Sequence, residues 1–129
     1  MKPVCYILVR DLPHTLNAGK AMAQVHHAGT RIVAKQDKYS SSLYPIFAEW
    51  MEEADGFGTV LVMKPMLEDE IERFLGMAEG NSITGRVIDP TYPVDKELTV
   101  RAMTCAYILV DTDREGQLIT ELKQLELHP

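Results

Sequence analysis

Four polar side chains near the start of the chain are spaced so that they share one face of a helix. They recur at i, i+4, i+7 and i+11 within the segment NAGKAMAQVHHAGTRIVAK, which begins at Asn17. At about 100° per residue this spacing places all four on one side of an α-helix, opposite small and apolar residues. Such a pattern indicates either an exposed polar face or a binding site. The four are Lys20, Gln24, His27 and Arg31.

The first turn of the predicted helix favours an anion site. Gly19 lets a ligand come close to the backbone, and the first N–H groups of a helix have no partner within it. Lys20 adds a positive charge beside these groups. Gln24 and His27 extend the same face by about one and two turns. His26 points about 100° away from this face and is predicted to be a packing or surface residue.

A carboxylate that follows a predicted strand is the second candidate. Residues 83–88 have the pattern of a strand that delivers Asp89 to its carboxyl end, where open α/β folds place functional groups. The other interpretation is an aspartate that starts a turn before Pro90. Thr104 lies inside an apolar strand, and without further observations it is a β-branched strand residue.

Basic residues concentrate around the polar helix face. The net charge of the chain is −6, yet residues 1–40 hold six Lys or Arg against two acids, and residues 41–129 hold seven against seventeen. This distribution suits a localised anion site, such as one for phosphate, better than broad binding to a duplex, and no DNA partner is expected. A chance imbalance explains the same counts.

Several common classes of protein lack support in this sequence. There is no HExxH or CxxC pattern for a metal, no GxSxG for a serine nucleophile, and no P-loop or GxGxxG for a nucleotide. We therefore expect no metal and no cofactor. Cys5 and Cys105 lie in apolar runs and are predicted to be reduced core residues. Strand-sized apolar runs and the lack of a signal-peptide pattern in residues 1–9 predict a cytoplasmic protein without a membrane partner.

Hydrophobic periodicity predicts eight elements that position these side chains. Predicted strands cover residues 4–10, 59–64, 83–88 and 100–110. The first predicted helix follows the N-cap Asn17, and the other three cover residues 43–54, 67–78 and 115–125. Residues 89–99 are expected to form a loop, because Pro90 and Pro93 exclude a regular ladder. The order β-α-α-β-α-β-β-α indicates one α/β domain over residues 1–129, a three-layer α/β/α arrangement around a four-stranded mixed sheet.

At these residues the chain resembles the type 2 peptidyl-tRNA hydrolase family of archaea and eukaryotes. The first strand of that family ends in an Arg-x-Asp-Leu-like element, matched by VRDL at residues 9–12. Its next helix starts Gly-Lys-x-Ala-Ala-Gln-x-x-His-Ala, matched without a gap by GKAMAQVHHA at residues 19–28. Asp89 matches the aspartate that ends its third strand. Thr104 best matches the threonine that opens its fourth, with Thr99 as a rival.

One segment departs from the family pattern. The family usually follows its aspartate with a Gly-x-Thr-Gln turn, whereas this chain has PTYPV at residues 90–94. The chain therefore resembles a divergent member of the family.

The resemblance implies an enzyme of translation that hydrolyses the ester between a peptide and the 3′ ribose of tRNA and so recycles the tRNA. Its catalytic residues would be Lys20, which supplies positive charge to the oxyanion or a phosphate, Asp89, which orients Lys20 or activates water, and Thr104. The implied partners are the acceptor end of peptidyl-tRNA and a second copy of the chain in a homodimer. The implied substrate-binding residues are Arg10, Asp11, Gly19, Gln24, His27 and Arg31.

Two other functions fit the same residues. A non-catalytic tRNA- or ligand-binding module on this fold is favoured by the altered segment after Asp89. A hydrolase of a small ester or amide is favoured by the acidity of the whole chain.

Overall fold

The computed structural model describes residues 1–13 and 17–129. The element order is the predicted β-α-α-β-α-β-β-α, with short 3₁₀ turns at Gln36–Lys38 and Ala54–Gly56. In the described part of the chain, no helix combines the length and the apolar character needed to cross a membrane. The strands are β1 (Pro3–Val9), β2 (Val60–Val62), β3 (Ile83–Pro93) and β4 (Thr99–Asp111). The α-helices are α1 (Ala18–Ala34), α2 (Tyr44–Glu52), α3 (Glu68–Ala78) and α4 (Gln117–Gln124).

The four strands form one mixed sheet in the order β2-β1-β4-β3. β1 pairs with β2 in parallel, and β4 pairs antiparallel with both β1 and β3. This arrangement confirms the predicted four-stranded mixed sheet. β3 is an edge strand, so one of its sides has no neighbouring strand in the part of the chain that the structure describes.

Alternation along β1 divides the core into two layers. Cys5 and Ile7 belong to one apolar cluster, whereas Val4 and Tyr6 belong to the other, because successive strand side chains point to opposite faces. Helices α1 and α2 complete the first cluster, and α3 and α4 complete the second, which confirms the three-layer arrangement. The helical residues in the first are Ala28, Ile32, Ile46, Phe47 and Trp50, and in the second they include Ile71, Phe74, Leu75, Ala78, Ile119 and Leu122.

The segment after Asp89 differs from its prediction. Instead of a loop over residues 89–99, β3 continues to Pro93 and pairs with the start of β4. The ladder is irregular between Asp89 and Tyr92, so Pro90 falls where no regular pair exists. Prolines are tolerated at bulges and on edge strands, where a missing N–H breaks no ladder bond, and β3 offers both conditions. Asp89 therefore lies within an irregular strand, not at its end.

Gly85 is required by the close approach of a core tyrosine. A Cβ atom placed on Gly85 would overlap the phenol of Tyr107, whose side chain is fully buried. We expect Gly85→Ala to lower the free energy of unfolding by about 1–3 kcal/mol, the usual cost of overpacking. Urea denaturation followed by tryptophan fluorescence measures this loss. Gly76→Ala is the matched control, because a Cβ at this helical position meets no atom and should stabilise α3. Equal stability of the two variants would contradict the prediction.

Candidate functional site

A buried hydrogen bond joins the polar face of α1 to the sheet. The Thr104 hydroxyl donates to the Gln24 side-chain carbonyl oxygen at 2.5 Å and lies 3.4 Å from the backbone oxygen of Val87. Thr104 is 0% exposed and Gln24 is 6% exposed. Because Gln24 is buried, it cannot be part of an exposed polar face, which was the simpler explanation of the spacing of Lys20, Gln24, His27 and Arg31. Buried polar groups cost free energy unless they are paired, so this pair is a specific feature of the site.

A bulge in β4 turns Thr104 toward α1. Val87 of β3 pairs with Cys105 and its neighbour Ile88 pairs with Met103, so the register skips Thr104. Because of this shift, Met103 joins the α3–α4 cluster and Cys105 joins the α1–α2 cluster, while Thr104 between them bonds to α1. β-Bulges commonly re-aim a side chain in this way next to functional sites.

Arg10 supports the backbone of this bulge. Its guanidinium contacts the Met103 carbonyl oxygen at 3.4 Å and pairs with Glu68 at 2.9 Å. Its own backbone N–H donates to the Thr104 carbonyl oxygen at 3.0 Å. The sequence predicted Arg10 as a substrate contact. The structure gives its charge a protein partner, so any contact with substrate would compete with Glu68.

His27, Arg31 and Asp89 line a single cleft. This cleft, of about 270 Å³, lies between α1 and the irregular part of β3, and Thr30 and Pro90 also contribute to its walls. Arg31 is exposed and forms no ion pair with any described residue. The cleft therefore brings a carboxylate, an imidazole and an unpaired guanidinium to one opening.

The carboxylate of Asp89 is held by the backbone that follows it. Its Oδ1 accepts a hydrogen bond from the Thr91 N–H at 2.9 Å, the geometry of an Asx turn. In the described part of the chain no group donates to Oδ2. One carboxylate oxygen fixes the side chain, and the other is available at the cleft.

Lys20 lies at the start of α1 and is half-buried. Its side chain makes no hydrogen bond or ion pair with a described residue, and it is not among the residues that line the cleft at Asp89. The structure thus places Lys20 one turn before Gln24 without joining it to Asp89. The predicted partnership between this ammonium and that carboxylate stays a prediction.

The N-cap of α1 corrects the expectation of free first-turn amides. Asn17 is the N-cap, as predicted, and its Oδ1 accepts from the N–H groups of Gly19 at 2.9 Å and Lys20 at 3.3 Å. Since these two amides already have an acceptor, they do not form an open anion site. Gly19 is exposed, and its role in substrate binding stays a prediction.

Two further predicted residues lie apart from the cleft at Asp89. Asp11 is exposed and lines a different surface depression, which also includes Glu70 and Glu126. Thr99 is exposed at the first residue of β4 and pairs with Pro93. Of the two candidate threonines, Thr104 is therefore the one that contacts the polar face of α1.

Sequence reasoning missed Thr30 and Tyr92. Thr30 is a wall of the cleft, one helical turn after His26, and the spacing of the four long polar residues gave no reason to include it. Tyr92 is a fully buried side chain in the segment predicted to be a loop. A tyrosine between two prolines carries no sequence signal of burial.

Neither cysteine is available as a nucleophile. Cys5 and Cys105 are free and buried, which confirms the prediction of reduced core residues. Burial raises the pKa of the Cys105 thiol to about 12 and that of Cys5 further still, so both are protonated at neutral pH. In the described ranges, no three His, Cys, Asp or Glu side chains lie close enough to hold a metal ion.

A larger cleft, of about 540 Å³, lies at the start of α4 beside Ser82 and Arg114. It contains none of the predicted residues. The turn that leads into it carries three acids against one arginine, Asp111, Asp113 and Glu115 around Arg114. The charged lining of the larger cleft is one arginine and one carboxylate, Arg114 and Glu115, so the cleft at Asp89, which three predicted residues line, is the better candidate.

No protein-family model matches this chain, and no curated protein matches its sequence. The resemblance to the type 2 peptidyl-tRNA hydrolases accordingly depends on two short segments, 9–12 and 19–28, together with Asp89 and Thr104. The functional interpretation depends on the geometry of these residues.

Proposed function

We propose that this protein hydrolyses the ester bond of peptidyl-tRNA. The observation that carries the proposal is the meeting of α1 with the irregular β3–β4 edge. There Gln24 bonds to Thr104, and His27 and Arg31 share a cleft with Asp89. These side chains supply the groups that ester hydrolysis of an anionic substrate requires: a base, polar donors and positive charge.

Asp89 is the proposed base. A water bound at its free Oδ2 attacks the ester carbonyl carbon and gives its proton to the carboxylate. The ester C–O bond then breaks as the Asp89 carboxylic acid returns this proton to the ribose oxygen, so that peptide acid and tRNA are released. The buried cysteines and the absence of a serine-nucleophile motif favour direct attack by water over a covalent intermediate.

Gln24 and Lys20 are the proposed stabilisers of the tetrahedral oxyanion. Because the Thr104 hydroxyl donates to the Gln24 carbonyl oxygen, the Gln24 NH₂ group is turned away from Thr104, and it donates to no described residue. This amide is thus a fixed donor without an acceptor among the described residues. Lys20 lies one turn earlier on the same face and would add positive charge when substrate is bound.

Purified protein incubated with peptidyl-tRNA tests the proposal. We expect release of peptide and of intact tRNA, together with tRNA binding that weakens as salt rises, since phosphate contacts release counterions. If peptidyl-tRNA is cleaved at none of the salt concentrations, the proposal is overturned. Cleavage of small esters but not of peptidyl-tRNA would instead favour the small-substrate hydrolase.

Arg31 is expected to contact one phosphate of the tRNA. It is exposed, unpaired among the described residues and at the mouth of the cleft. Arg31→Ala should reduce the magnitude of the slope of log K against log salt by about 1. Fluorescence anisotropy with labelled tRNA at several salt concentrations measures this slope. Lys123→Ala, in α4 on the other side of the sheet, is the matched control and should leave the slope unchanged. An unchanged slope for Arg31→Ala would exclude the contact.

A non-catalytic tRNA-binding module is the second candidate function. The observation in its favour is that Lys20 has no hydrogen bond or ion pair to Asp89 in the described structure and does not line the Asp89 cleft. Such a module would bind tRNA with the same dependence on salt but would not cleave peptidyl-tRNA. The cleavage experiment therefore separates the two functions.

A further inference from the structure

Tyr92 makes a hydrogen bond that crosses from the edge strand to the segment before α1. Its hydroxyl donates to the backbone carbonyl oxygen of Pro13, 79 residues away in sequence. The side chain is 1% exposed, and burial raises the pKa of the phenol, with the nearby carboxylate of Asp89 adding to the shift. The hydroxyl therefore stays protonated and acts as a donor.

Tyr92 is buried, but it belongs to neither main cluster of the core. Among the described residues, the α1–α2 cluster and the α3–α4 cluster are built from other side chains. Tyr92 lies on β3 just beyond the irregular stretch that begins at Asp89. Its burial therefore has a local cause, and the hydrogen bond to Pro13 indicates where that cause lies.

The two ends of this hydrogen bond lie close in sequence to the proposed catalytic groups. Asp89 precedes Tyr92 by three residues, and Pro13 precedes the N-cap Asn17 by four. Lys20 follows in the first turn of α1. The bond therefore links the β3 segment that holds the carboxylate to Pro13, the last described residue before Asn17.

We propose that Tyr92 is a positioning residue, whose hydroxyl fixes the irregular end of β3 against Pro13 and so holds Asp89 in place at the cleft. This inference rests on the proposed hydrolase function. The segment after Asp89 is also where the chain departs from the family pattern. The hydrogen bond of Tyr92 gives that altered segment a means of holding the aspartate in place.

Tyr92→Phe tests the inference, because it removes the hydroxyl and keeps the ring. We expect kcat for peptidyl-tRNA to fall about tenfold while KM changes less than about twofold, since small displacements of a catalytic group are costly and the proposed phosphate contact, Arg31, lies on α1 and not on β3. Tyr107→Phe is the matched control. Its hydroxyl is equally buried but has no hydrogen-bond partner among residues 1–13 and 17–129, so its removal should leave kcat unchanged.

The same substitution in an Asp89→Asn background separates positioning from general destabilisation. If Tyr92 acts by placing Asp89, Tyr92→Phe should have less than about a twofold effect once the carboxylate is gone. An equal tenfold loss in both backgrounds, or an unchanged kcat in the wild-type background, would overturn the inference while leaving the hydrolase function intact.

A measurement without substrate distinguishes failure of the inference from failure of the proposed function. In amide NMR spectra, Tyr92→Phe should shift the resonances of Asp11 and Leu12, beside Pro13, as well as those of Asp89 and Thr91. Shifts confined to β3 would overturn the inference, even if the protein does not cleave peptidyl-tRNA. Shifts on both segments in an inactive protein would support the coupling and refute the hydrolase.

Discussion

Replacement of Lys20 by alanine or of Asp89 by asparagine is expected to lower the rate of peptidyl-tRNA cleavage by about 100-fold or more. Loss of a general base removes about 10²–10⁴-fold in rate, and loss of one oxyanion stabiliser removes about 10²–10³-fold. Neither side chain belongs to the apolar clusters, so both variants should stay folded. Single-turnover cleavage measures the rate, and circular dichroism checks the fold.

Two surface substitutions provide matched controls for this prediction. Lys123→Ala and Asp37→Asn remove the same charges from exposed positions outside the cleft at Asp89. They should retain the wild-type rate within about twofold, the range expected for residues without a catalytic contact. Full activity in both Lys20→Ala and Asp89→Asn would refute the proposed catalytic roles.

Local periodicity was sufficient to predict the elements of this fold. The helix after Asn17 begins with the predicted cap, and the order of strands and helices is as expected, because each pattern depends on residues within one element. The continuous apolar run in β1 likewise predicts a strand covered on both faces. These features need no knowledge of distant contacts.

The segment after Asp89 could not be predicted in the same way. Pro90 and Pro93 argue against a ladder in a central strand, but β3 is an edge strand and its register shifts just there. Whether a proline is tolerated depends on which strand lies beside it. That information is in the pairing with β4, and not in the local sequence.

The candidate site was likewise predictable only in part. The spacing of Lys20, Gln24, His27 and Arg31 was visible in the sequence, yet the burial of Gln24 was not. In the sequence, Thr104 looks like an ordinary strand residue. The structure shows that the bulge before Cys105 turns its side chain toward α1. A bulge arises from the register between two strands, so only the three-dimensional pairing reveals which polar side chains meet.

Removal of the Thr104 hydroxyl is expected to weaken both catalysis and stability. Thr104→Val keeps the shape of the side chain but leaves the Gln24 carbonyl oxygen without its donor in a buried position. An unpaired buried acceptor costs about 1–3 kcal/mol in the free energy of unfolding. Because the Gln24 amide is then free to rotate, its NH₂ group no longer faces the oxyanion in a fixed direction, and kcat should fall by about 10–100-fold.

Thr104→Ser and Gln24→Leu complete the test of this pair. Serine retains the donor, so Thr104→Ser should keep kcat within about threefold, allowing for the lost methyl group. Gln24→Leu removes the proposed oxyanion donor, and Thr104→Val should then cause little further loss, because the two side chains act as one unit. Two results would contradict this role: losses in kcat that add in the double variant, or a Thr104→Val enzyme with wild-type kcat and lowered stability. Either result would mean that Thr104 contributes only to packing and does not orient Gln24 for catalysis.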